Sequence, residues 1–176
     1  MSLLFQPMPL QKRPSPFDNP DYVFELKYDC FRALAVIENG RSQLVSRNGH
    51  PFASFTDLAR DIAAVIPDAQ TVLDGEIVCV DKKGKPQFRD LLFRRGDPCF
   101  FAFDIPFCNG KDWRRETLMD RRQELRRLLS RVPADSRLKY VDHVDGTGDR
   151  SISASVQAGL GGYRGQAEVR PLHLRS

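Results

Sequence analysis

Two Asn-Gly pairs constrain the first half of the chain. "ENGR" (38–41) links an apolar run at 32–38 to "QLVSR", and "NGHPF" turns the chain again directly afterwards. Asn-Gly supplies the left-handed backbone that a tight hairpin needs, so "ENGR" is expected to be a hairpin turn and "NGHPF" a second turn. Before them, residues 1–21 are rich in proline and read as an extended lead-in with turns, followed by a strand at 22–30. After them, "SFTDLARDIAAVIP" sets Leu58, Ile62, Val65 and Ile66 at helical spacing, with Pro67 as the stop. "TVLDGEIVCVD" is an apolar strand interrupted by Asp-Gly-Glu, and "KKGKP" turns the chain into "FRDLLFRR", a short helix. "CFFAFDIPF" is an aromatic strand. A long helix at 115–131 carries Leu118, Leu125, Leu128, Leu129 and Val132 on one stripe, and "LKYVDHV" closes with a short strand. The pattern is α+β with antiparallel strands.

Composition narrows the function classes. A chain of 176 residues suits one domain or slightly more. A net charge of +4 tolerates a polyanionic partner without demanding one, so meaning depends on clustering. The cluster is "WRRETLMDRRQELRRLLSR" (113–131), whose plainest reading is a solvated helix face. Cys30, Cys79, Cys99 and Cys108 form no CxxC pair and sit among apolar neighbours, as reduced thiols in a cytoplasm would. No apolar run approaches bilayer length, and the first residues lack the layout of a signal peptide. A cytoplasmic protein without membrane contact is expected. His50, His143 and His173 have no metal-ligand spacing, and Asp-Gly-Glu is too short for a calcium loop.

The stretch "FELKYDCFRAL" (24–34) leaves two readings open. Phe24, Leu26, Tyr28, Cys30 and Leu34 alternate as in a half-buried strand, while Lys27, Asp29 and Arg32 either project to water or line a site. Three further features follow in order: "SRNG" at 46–49, "DGE" at 74–76 and "FFAFD" at 100–104. Each is weak singly. In this order the chain, over about residues 13–150, resembles the nucleotidyltransferase (adenylation) domain of ATP-dependent DNA ligases, especially the bacterial end-joining type. Their first motif runs Lys-x-Asp-Gly-x-x-Arg or one residue shorter. This chain has the shorter form, with Cys30 where glycine is expected.

The resemblance implies an antiparallel-sheet, ATP-grasp-like domain, incomplete here and without the oligonucleotide-binding (OB) domain that follows in such ligases. It implies ATP and Mg2+ as cofactors, nicked duplex DNA as substrate and end-joining repair proteins as partners; a monomer is expected. Lys27 is the expected nucleophile that forms lysyl-AMP. An amine attacks only when uncharged, so desolvation or a neighbouring positive charge must lower its pKa. Glu25, Asp29, Arg32, Arg47, Glu76 and Phe103 are the expected nucleotide contacts. Arg32 and Arg47 match positions on sugar and phosphates, Glu76 would touch ribose or support the metal, and Phe103 would stack on adenine; plain core packing competes for Phe103. Magnesium suits such oxygen ligands and would bridge phosphates.

Two departures stand out. Cys30 replaces a glycine that would permit close backbone approach, and is expected to crowd the site. The second concerns residues 151–176, "SISASVQAGLGGYRGQAEVRPLHLRS", which show neither period and are expected to form neither helix nor strand. The family's next motifs, a Glu-Gly with a metal-binding glutamate and a strand with paired lysines, are not visible there. Written as degenerate codons, "GLGGYRGQA" (159–167) read one base later is compatible with Asp-Leu-Glu-Gly-Ile-Val-Ala-Lys-Arg, the expected motif. A frameshift close to Ser151 would explain the tail. The domain division is then lead-in 1–21, partial adenylation domain 22–150 and aberrant tail 151–176, with little activity expected. The alternatives are a non-catalytic remnant binding nucleotide or DNA weakly through the 113–131 helix, and an RNA ligase or capping-type nucleotidyltransferase.

Overall fold

The computed structural model describes residues 18–26, 28, 30–66, 70–82, 84–147 and 169–173. The elements are β1 (Asp18–Leu26), β2 (Phe31–Glu38), β3 (Arg41–Ser46), a 3-10 turn (Ala53–Phe55), α1 (Thr56–Val65), β4 (Thr71–Cys79) and α2 (Phe88–Leu92). They continue as β5 (Pro98–Cys108), β6 (Lys111–Asp112), α3 (Leu118–Leu129), β7 (Leu138–Tyr140), β8 (His143–Thr147) and β9 (Val169–His173). One sheet runs β3-β2-β4-β5-β6 with β7 added parallel to β5; a second, three-stranded sheet runs β8-β1-β9. The α+β, antiparallel-dominated class expected from the sequence is the one observed.

The first Asn-Gly pair forms its hairpin, whereas in the second turn Gly49 takes positive φ (78°) and Asn48 does not, and the strands there meet only in the isolated Val45–Pro51 bridge. Asn39 and Gly40 both take positive φ, 51° and 69°, in the two-residue loop between the paired Glu38 and Arg41. Asn109 and Gly110, at 50° and 80°, repeat the device between Cys108 and Lys111. Helix α3 starts at Leu118, later than the expected residue 115, because Thr117 caps it: its hydroxyl accepts from the Asp120 amide at 3.2 Å.

The core lies on one face of the larger sheet. Ala33, Ala35 and Ile37 of β2, Leu73 and Ile77 of β4 and Phe100 of β5 are sealed under Leu58 and Ile62 of α1 and Leu125 of α3. Each fully buried large side chain contributes about 1.5–3 kcal/mol. The opposite face changes character along its length. It begins apolar at Leu34, Val72 and Phe107 and becomes charged at Arg32, Asp74 and Glu76.

Three local expectations differ from the structure. β1 spans Asp18–Leu26 instead of 22–30, taking in the last residues of the expected lead-in. "LKYVDHV" divides into β7 and β8, which belong to different sheets. Residues 169–173 of the tail, expected to be without regular structure, form β9 and pair antiparallel with β1 from Tyr22–His173 to Leu26–Val169. An exposed edge attracts any segment able to extend, and five residues without glycine sufficed here.

Candidate nucleotide site

The charged end of the sheet is built by the period of two. On β4, Asp74 and Glu76 share a face while Gly75 points to the helix side. There a Cβ would lie 2.4 Å from the Phe101 carbonyl oxygen and 2.7 Å from two Phe100 ring atoms, so only glycine fits beneath that ring. Arg32 of β2 stands opposite Glu76 and reaches diagonally to Asp74. Its Nε donates to Asp74 Oδ1 at 3.1 Å and its Nη2 to Oδ2 at 2.8 Å, a two-pronged ion pair. The same guanidinium carbon lies 5.4 Å from the centre of the Phe103 ring.

Burial dominates the electrostatics. It raises the Asp74 carboxyl to about 6 against the pull of the Arg32 bond and charge, with Asp104, its register partner on β5, raising it further. Glu76 is 9% exposed and stands between Arg32 and Phe101 in the ladder. The Tyr28 ring meets Phe101 at 4.8 Å, and its phenol is pushed up to about 12 by burial and then by the charge of Glu76.

The sheet therefore brings together three of the expected residues: Arg32, Glu76 and Phe103. Phe103 is 6% exposed with the guanidinium over its ring, so it is a packed residue in this structure. Arg47 sits in the exposed turn after β3, one step past the Ala33–Ser46 pair and so at the Arg32 end. Glu25 lies on β1, its backbone opposite His143 on one side and Arg170 on the other. Lys27 and Asp29 lie outside the described residues. Cys30 directs its thiol to the Tyr28 carbonyl at 3.3 Å and packs against the rim of the core. The other three thiols, Cys79, Cys99 and Cys108, are all pushed up by burial, which suits inert side chains.

The sequence reading missed the inner side of α3. Arg121 is 5% exposed and its Nε donates to Asp104 Oδ1 at 2.8 Å, while Nη1 donates to the Glu116 carbonyl. Arg122 is 1% exposed and donates to the carbonyls of Phe103 and Val141 and to His143 Nδ1. The 113–131 cluster is thus not one solvated face. The available signal was phase: Arg122 falls four residues after Leu118 and three before Leu125, on the apolar stripe itself.

Comparisons with known proteins agree with this geometry. The family model "ATP dependent DNA ligase domain" matches residues 9–162. The chain belongs to that ligase family. This ligase domain is 31% identical over 143 residues to the multifunctional non-homologous end joining protein LigD of Mycobacterium bovis, covering 80% of the chain and 18% of that protein. It is 33% identical over 114 residues to LigD of Pseudomonas aeruginosa, covering 62% of the chain and 14% of that protein. Among solved structures, mycobacterial DNA ligase D complexed with ATP and MES superposes with a TM-score of 0.81 at 26% identity, over 97% of this chain and 55% of that one. The chain thus spans under a fifth of these two curated relatives. The family match also enters the tail, up to residue 162.

For the metal that such ligases imply, the ligase domain shows a partial donor set. Among the described residues no group of three histidine, cysteine or acidic side chains gathers to hold an ion. Asp74 and Asp104 are engaged by Arg32 and Arg121. Glu76 lies on the same face as Asp74, and one or two carboxylates are what magnesium commonly takes, its shell being filled by phosphate and water. Among the described residues no helix is long and apolar enough to cross a membrane.

Proposed function

We propose that this domain forms a covalent adenylate from ATP as the first step of sealing nicks in duplex DNA. The observation that carries the reading is the cluster of Arg32, Asp74, Glu76 and Phe103, where a fixed cation, a carboxylate and an aromatic ring meet at one end of the sheet. Lys27 follows β1 directly and is the proposed nucleophile. Its neutral amine attacks the α-phosphorus, the new bond is P–N, and the bond to pyrophosphate breaks; the adenylate then passes to the 5′-phosphate at a nick. Charge gathers on the departing oxygens, and the guanidiniums of Arg32 and Arg47 are the proposed counter-charges. Glu76 and Asp29 would hold magnesium and ribose, Phe103 would stack on the base, and Glu25 would contact the nucleotide. When bound, magnesium would neutralise phosphate charge. End-joining repair proteins are the proposed partners.

We also propose that these 176 residues self-adenylate poorly on their own. No lysine follows Lys139, so the paired lysines that the family sets around the triphosphate have no counterpart there. A frameshift close to Ser151 is our explanation for the tail, because it would carry residues 159–167 out of the frame in which the expected motif is compatible. Incubation with radiolabelled ATP and magnesium is the test. Label on the wild type that disappears in Lys27→Ala supports the reading, and label that survives Lys27→Ala removes it. A chain restored to the shifted frame should gain label by about a hundredfold or more. If the gene read in that frame encodes no Glu-Gly-Ile-Val-Ala-Lys, the frameshift idea is wrong.

A further inference from the structure

We propose that Arg122 is a positioning residue for the nucleotide site, tying the strand that carries Phe103 to the strand pair that leads to Lys27. The inference rests on the proposed adenylation reading and goes further, because it assigns to α3, which carries none of the proposed nucleotide contacts, the spacing of the strands that do. The geometry is specific. Arg122 Nη1 donates to the carbonyl of Phe103 at 3.2 Å, Nη2 to the carbonyl of Val141 at 2.8 Å, and Nε to His143 Nδ1 at 3.2 Å. Phe103 belongs to β5 of the larger sheet; His143 opens β8 of the smaller one and is the register partner of Glu25 on β1. One buried guanidinium therefore bonds both sheets at the positions flanking the proposed site.

The chemistry demands arginine. A planar fork has donors pointing in several fixed directions, and here three nitrogens each take a different partner; a lysine ammonium on the same stem cannot reach three groups so disposed. The Tyr140 ring, 5.8 Å from the guanidinium carbon, further confines it. The neighbouring Arg121 bonds Asp104, the residue after Phe103, so β5 is held at two successive positions from a single turn of α3. The ring of Phe103 in turn lies against Arg32. A loosened β5 would shift the ring and the Arg32 guanidinium together.

Two measurements on the full chain test this. Hydrogen exchange without nucleotide should show faster exchange around Phe103 and around Val141–His143 in Arg122→Lys, and no change in Arg127→Lys, which alters an exposed arginine of the same helix. Titration with adenosine should show affinity about tenfold weaker in Arg122→Lys than in the wild type. In a Phe103→Ala background the same substitution should have almost no further effect, which a merely structural role would not produce. Equal losses in both backgrounds, or unchanged exchange at either strand, would overturn the proposal. If the wild type binds no adenosine, the nucleotide reading fails and the positioning role fails with it. Accelerated exchange at both strands would then leave Arg122 as a structural tie alone.

Discussion

Helix α3 carries the same dipeptide twice. Arg121–Arg122 and Arg126–Arg127 stand five residues apart, yet the first pair is buried and the second is exposed. The inner arginines meet β5 and the approach to β8, where fixed carbonyls and the Asp104 carboxylate match their donors. The outer pair lies in the last turn. There Arg127 forms a surface pair with Glu124 at 2.6 Å and favours the negative end of the helix dipole. Identical residues thus serve opposite purposes. A buried guanidinium is tolerable only where every donor finds an acceptor, and such a match exists on one side of this helix.

The difference has measurable consequences. The largest belongs to Arg122→Ala, which strips donors from two buried carbonyls and His143 and opens a cavity; a loss of about 4 kcal/mol in urea unfolding is expected. Arg121→Ala leaves Asp104 buried beside Asp74 without its cation, and should cost about 3 kcal/mol. Arg121→Met with Asp104→Leu should recover much of that, because an apolar pair replaces an ionic one.

Asp74 gives a pH test of the same buried network. Its folded value of about 6 lies above the ordinary aspartate value of 3.8, so the folded state binds the proton more tightly. The stabilisation from that proton is full below about pH 4 and is lost as pH rises through 6. Wild type should therefore lose stability relative to Asp74→Asn between about pH 4 and 7, by an amount on the order of 2–3 kcal/mol. A difference that stays flat across this window would mean that Arg32 outweighs burial. The smallest effect belongs to Arg127→Ala. Its melting temperature should match the wild type in high salt, where surface pairs are screened.

Much of the fold was readable because its signals are local. Asn39–Gly40 declares a hairpin whatever surrounds it, and Leu58, Ile62 and Ile66 declare a helix face. The order of "KYDCFR", "SRNG", "DGE" and "FFAFD" was enough to place the chain in its ligase family. Tail segment 169–173 was misread because its pairing depends on β1, a partner far away in sequence. The part played by Asp74 of "DGE" was equally hidden, since nothing local reveals that Arg32 lies across the ladder.

The sequence alone determined the element types as far as β5 and that of α3, the Asn39–Gly40 hairpin, the alternation that puts Asp74 and Glu76 on one face, and family membership. Tertiary structure alone decided which charges are inside. Whether an arginine is a solvated cation or a buried strut depends on acceptors contributed by other strands: the Phe103 carbonyl, the Val141 carbonyl and Asp104. Those acceptors gather only when the sheet closes over α3.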